Sequence, residues 1–220
     1  SIGLTALGVL LKISRVKELT TKLLEHKSVV STVAKILCTQ KEEFVTLCAA
    51  IVANLSRNPD ICVQLVLRST GLKEALKKAA DTGQAKAKLY CQYALQNFSC
   101  VSACRQELLL LGVAETITRN AYNKGSSAEM KKSAISTLHN FCEDPASLIM
   151  LTNTPRCIAT LIAVSNDVKS PDCQPVAKAA LTCLSGWFCK SASTYGTEKN
   201  EGTPIRVGRW NQWIDAKLDE

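Results

Sequence analysis

Hydrophobic and polar positions along the chain follow one grammar that returns five times. Ala6–Ser14 (ALGVLLKIS), Cys48–Ser56 (CAAIVANLS), Cys91–Ser99 (CQYALQNFS), Ala134–Cys142 (AISTLHNFC) and Ala180–Phe188 (ALTCLSGWF) align without gaps. Each opens on a small residue (Ala6, Cys48, Cys91, Ala134, Ala180), with an apolar residue four later (Leu10, Val52, Leu95, Leu138, Leu184). A second apolar residue stands three further on: Ile13, Leu55, Phe98, Phe141 and Trp187. Spacing of i, i+4, i+7 puts all three on one stripe of an amphipathic helix. Between the apolar positions lies a polar slot holding Lys12, Asn54, Asn97, Asn140 and Gly186, at separations of 42, 43, 43 and 46 residues.

The stretches between these segments also repeat. Asn58-Pro59 and Asp144-Pro145 read as an N-cap with proline at the first helical position. Short apolar helices are predicted at Ile61–Leu67, Arg105–Leu111 and Ala146–Leu151, ended by breakers at Gly71, Gly112 and Pro155. A second stripe then begins, with Leu72 and Leu76, Val113 and Ile117, Ile158 and Ile162; Val29 and Val33 match it in the first unit. Three helices in about 43 residues is the length of an armadillo-type unit, whereas two-helix tetratricopeptide units need only about 34.

The segments AIVANLSRNPD, YALQNFS and TLHNFCEDP make the resemblance specific. They resemble the A-x-x-x-L-x-N-[LF]-S ending of the third armadillo helix, over residues 1–190. The resemblance implies an all-α, right-handed armadillo-type solenoid of about four to five repeats. Its units fall at 1–14 (partial), 15–56, 57–99, 100–142 and 143–190. Residues 1–14 read as a third helix without its first two, as expected of a fragment of a longer solenoid. Ser191–Gly208 is polar and aperiodic and reads as a loop; residues 209–220 carry Trp210 and Trp213 on an amphipathic helix that caps the last repeat or docks a partner.

In armadillo relatives such as importin-alpha and beta-catenin, asparagine at the polar slot bonds the main chain of an extended peptide. An amide offers both donor and acceptor, as a peptide backbone does. Asn54, Asn97 and Asn140 match that slot; Lys12 and Gly186 do not. The importin-like pattern also places tryptophan four residues earlier, where this chain has Ala50, Tyr93 and Ser136. Only Tyr93 can stack there, with Tyr90 one turn before it. One turn further up stand Glu43, Lys86 and Glu129, a mixture without a dominant sign. A plainer role competes for the asparagines, since an amide near a helix C-terminus also bonds local backbone.

Composition narrows the function classes. The chain is 46% hydrophobic but only 5% aromatic, so its core is aliphatic and cannot be that of a disordered tail. No apolar run nears the roughly 18 residues of a membrane span, and no signal peptide is visible. Eleven cysteines, among them Cys48, Cys91 and Cys183 within Ala- and Leu-rich stripes, read as packing thiols of a reducing compartment, cytoplasmic or nuclear. No CxxC occurs and only His26 and His139 are available, so neither a metal site nor any cofactor is expected. His139 and Cys142 share a helix face, but no third group orients them and no nucleophile, zinc or nucleotide motif is present. An enzyme is not expected.

Net charge is +8, densest at Lys73, Lys77, Lys78, Lys86 and Lys88 among Glu74 and Asp81. The expected function is a scaffold holding an extended protein segment along the third-helix groove through Asn54, Tyr90, Tyr93, Asn97 and Asn140. The alternatives are a structural arm of a large assembly, held by its convex face or by Trp210 and Trp213, and an RNA-binding repeat using the lysines.

Overall fold

A computed structural model describes residues 2–195 apart from 40, 70 and 124, with side chains over the same span except 27 and 189–195. Among these residues there are thirteen α-helices and no strand. They are α1 (Ile2–Ile13), α2 (Lys17–Glu25), α3 (Lys27–Leu37), α4 (Glu42–Leu55), α5 (Pro59–Val63), α6 (Leu72–Thr82), α7 (Ala85–Ser99), α8 (Ser102–Leu110), α9 (Val113–Tyr122), α10 (Ala128–Phe141), α11 (Pro145–Thr152), α12 (Cys157–Ser165) and α13 (Gln174–Tyr195). No single helix among them is long and apolar enough to cross a membrane.

The chain forms two compact units, residues 1–116 and 117–220, with the division inside α9. In the first, the third-type helices lie side by side: α1 packs on α4 and α4 on α7. The second helices α3 and α6 pack on each other, and α6 also packs on α7. In the second unit, α13 packs against both α10 and α12. Most stripe positions are what they bury, although Ala6 is exposed and Leu10, Ile13 and Trp187 are half-buried, α1 burying Leu7 instead. Cys48, Val52, Leu55, Cys91, Leu95, Phe98, Ala134, Leu138, Phe141, Ala180 and Leu184 are all inaccessible or nearly so. Each full apolar side chain so buried contributes about 1.5–3 kcal/mol, while the small residues let neighbouring helices approach.

Both N-caps form as the sequence indicates. The Asn58 side chain accepts from the Asp60 amide ahead of Pro59, and Asp144 accepts from the Ser147 amide ahead of Pro145. Between first and second helices, Gly71 and Gly112 take left-handed backbone, φ +78° and +77°. The third such corner uses Arg156 (φ +59°) rather than the expected Pro155; its guanidinium lies 5.9 Å from the Tyr122 ring centre.

Two boundaries differ from expectation. The short helix expected at Ile61–Leu67 is α5 continued by a π-helical turn, Gln64–Arg68. That wider turn takes up one extra residue while Ile61, Cys62, Leu65 and Val66 all stay buried. Ser191–Tyr195, expected in a loop, belongs to α13, which runs to Tyr195. The stretch Ser191–Tyr195 contains neither glycine nor proline, and Gly196 is the first breaker. The remainder of that loop and the helix expected at 209–220, with Trp210 and Trp213, lie outside the described residues.

One fold-determining residue reads from sequence as an ordinary surface charge. Arg105 on α8 is 6% exposed, and its Nε donates to the Ser99 carbonyl at 2.8 Å. The equivalent bond one repeat earlier runs from the Cys62 thiol to the Ser56 carbonyl at 2.9 Å. In these two repeats a donor on the incoming short helix satisfies an orphan carbonyl at the end of the preceding third helix. Arg105→Met keeps the aliphatic stem and removes the donor. We expect it to lower unfolding free energy by about 2 kcal/mol in urea titration, with an unchanged helical circular dichroism spectrum.

Candidate functional site

The third helices of the first unit present one face to a shallow open pocket of about 290 Å3. Leu11 and Arg15 come from the first segment, Ala50, Ala53, Asn54 and Arg57 from α4 and the residues after it, and Tyr90, Tyr93 and Asn97 from α7. The α4 residues are spaced i, i+3, i+4, i+7, and those of α7 i, i+3, i+7, so each set is one helical face. Four of the sequence-predicted residues, Asn54, Tyr90, Tyr93 and Asn97, are therefore brought together. Asn140 sits half-buried in the last turn of α10, in the second unit. Space for the pocket comes from Ala50 and Ala53, since a larger side chain at either position would fill it.

The side chains of Asn54 and Asn97 do not serve their own helices. Asn54 Nδ2 donates to Ser14 Oγ at 3.0 Å, reaching back 40 residues to the preceding repeat. Asn97 Nδ2 donates to Ser56 Oγ at 3.0 Å and to the Ala53 carbonyl at 3.3 Å. Both serines spend their only proton on their own helix: Ser14 Oγ donates to the Leu11 carbonyl and Ser56 Oγ to the Ala53 carbonyl. Each hydroxyl can then only accept, so the amide must turn its NH2 toward the serine and its Oδ1 away. The local-backbone alternative weighed for these residues gives way to an interlock between repeats.

This interlock fixes what remains to be offered. Asn97 directs its NH2 at two acceptors inside the protein, and its Oδ1 accepts from no described residue. Asn54 uses one, and retains a donor and an acceptor. Ser14 and Ser56 were legible only as the last letter of the repeated motif. Arg15 and Arg57 carry a signal that the motif alone does not reveal: each stands three residues after the polar slot.

Elsewhere some of the charged and reactive groups have structural employment. Lys73 pairs with Glu107, and Lys77 with Asp81 at 3.0 Å, so two of the five clustered lysines are held in ion pairs within the first unit. Near His139, burial holds the Cys142 thiol far above its ordinary value, reinforced by Cys157, Cys183 and Glu143, opposite to what a nucleophile requires. No group of three metal-ligating side chains gathers among the described residues.

Comparison with known proteins agrees with this architecture. No family model matches the chain, and no curated protein does. Among solved structures, a designed armadillo repeat protein matches with a TM-score of 0.73 at 20% identity, covering 82% of this chain and 75% of that one. Another, designed and in complex with the peptide (KR)4, matches at 0.73 and 18%, covering 98% and 91%. An armadillo-repeats-only protein from Plasmodium falciparum matches at 0.70 and 17%, covering 83% and 80%.

Burial raises the thiols of Cys48, Cys62, Cys91 and Cys157 to about 12 and that of Cys104 to about 11. The folded state therefore holds these protons more tightly than the unfolded chain, whose thiols ionise near the ordinary value of 9.0. The associated stability is complete below about pH 9 and is lost as pH rises toward 12. Urea midpoints should be flat from pH 7 to 9 and then fall, and Cys48→Ala/Cys91→Ala should make that alkaline fall shallower. Taken together, the helix order, the repeat period and these structural matches show that the chain has an armadillo-type repeat fold.

Proposed function

We propose that the chain is a non-enzymatic scaffold that holds an extended segment of another protein across the third-helix face of its first unit. The observation that carries this reading is the orientation of Asn54 and Asn97. Two amides in successive repeats turn their NH2 toward Ser14 and Ser56, and both residues line the open pocket. An extended backbone presents alternating N–H and C=O groups that need such partners. Tyr90 and Tyr93 beside them add rigid contact area at small entropic cost. Structurally similar designed proteins support the reading at the level of the fold, one of them being in complex with a peptide.

Asn140 is the third amide in the motif, and we assign it the same kind of contact within the second unit. Two further readings carry less. An assembly arm held through Trp210 and Trp213 rests on residues outside those described, and RNA binding is weakened by the ion pairs of Lys73 and Lys77. Buried, protonated thiols at stripe positions support a reducing compartment, and we place the protein in the cytoplasm or nucleus on that ground.

Selection from a displayed random peptide library tests the reading. Peptides enriched on the wild type should lose at least about tenfold in affinity on Asn54→Ala/Asn97→Ala, each lost hydrogen bond being worth about 1 kcal/mol. Because the variant also loses the bonds to Ser14 and Ser56, both proteins must be shown by circular dichroism and melting to be fully folded at the assay temperature. Enriched peptides that bind the double variant unchanged would place the docking surface elsewhere.

A further inference from the structure

The charge of the pocket has a sign that the motif does not specify. Its titratable lining is Arg15, Arg57, Tyr90 and Tyr93, with no carboxylate. Both guanidinium groups are exposed, and neither makes an ion pair with Glu18, Asp60 or any other described residue. They occupy the same place in two successive repeats, three residues past Lys12 and past Asn54. Lys12 itself is a third exposed cation, on the same helix as Leu11.

Helix ends bear on this balance. Arg15 and Arg57 stand just past the C-termini of α1 and α4, where each helix contributes about half a negative elementary charge. That field explains why an unpaired cation is comfortable there. It offsets only about half of each guanidinium charge, so the pocket stays positive.

We infer that the segment held by this face is acidic, with carboxylate side chains on Arg15 and Arg57; this rests on the proposed docking at Asn54 and Asn97. Guanidinium is the cation suited to carboxylate, since its planar fork gives two parallel N–H···O bonds. The register comes from two spacings. Packed helices lie about 8–10 Å apart, and alternate side chains of an extended strand lie about 6.6 Å apart on one side. Two flexible partners span the difference, so the acidic residues stand at i and i+2. The residues between them turn toward Tyr90 and Tyr93 or to solvent. A ligand such as (KR)4, found in complex with the designed protein, has the opposite sign and is expected to be rejected here.

The test uses fluorescence anisotropy on the full chain with labelled peptides of about ten residues, alternating Ser with Glu, Lys or Gln. The Glu peptide should bind at least about tenfold more tightly than the Gln peptide, and the Lys peptide more weakly than either. Arg15→Glu/Arg57→Glu should reverse the order of the Glu and Lys peptides, with folding confirmed by circular dichroism and melting. If the Gln or Lys peptide binds as well as the Glu peptide, and Asn54→Ala/Asn97→Ala abolishes that binding, the acidic preference fails while docking on the amides stands. Glu-peptide binding that depends on the arginines and ignores the asparagines would overturn the amide reading and keep the charge. Binding of none of the three would overturn both.

Discussion

Everything offered at the surface of the first unit depends on one hydrogen-bonded interlock between repeats. A serine that closes one third helix spends its proton on that helix and presents a lone pair. The asparagine of the next third helix must answer with N–H. Because the serine has no proton left, the amide has one orientation only, with its NH2 toward the serine and its carbonyl oxygen turned away from it. Asn97 makes this bond twice over, to Ser56 Oγ and to the Ala53 carbonyl. The same atoms thus link successive third helices and set the polarity of the face on which docking is proposed. A substitution there should be read for both effects, which is why folding controls belong beside any binding measurement.

Around that bond, small residues decide shape. Cys48 and Cys91 lie in the buried stripe, where bulk would push helices apart; Ala50 and Ala53 lie on the pocket face, where bulk would fill the hollow. Burial also suppresses the chemistry of these thiols, whose protons are held above the ordinary range, so the buried cysteines amount to packing material rather than reactive groups. Charge is divided in a similar way. Lys73 and Lys77 are consumed in ion pairs, whereas Arg15 and Arg57 remain available.

Much of this was legible in the sequence, for an identifiable reason. A period repeated four times over lets weak signals add: one Asn after one Leu means little, but Asn54, Asn97 and Asn140 at one phase point to a single environment. The N-caps at Asn58 and Asp144 were readable because proline leaves so few backbone choices. What escaped depends on contacts between repeats. Arg105 sits where Cys62 sits one repeat earlier, and residues so unlike in polarity share no compositional signature even though both donate to the same kind of carbonyl. The π-helical turn after α5 escaped because it changes the hydrogen-bond span without interrupting the apolar pattern. The partner roles of the asparagines were also underspecified: one side chain gives no hint, in sequence, that its NH2 is already committed to a serine 41 residues back.

Side-chain amide hydrogen exchange, measured by NMR on 15N-labelled protein, tests the central claim most directly. If the interlock orients the amides as described, at least one Nδ2 proton on Asn97 and one on Asn54 should exchange slowly. Ser56→Ala should speed exchange at Asn97 while leaving Asn54 unaltered. Rapid exchange of all four protons, or protection at Asn97 that survives Ser56→Ala undiminished, would mean that the serines do not set the amides. The proposed docking surface would then lose the constraint that gives it its polarity.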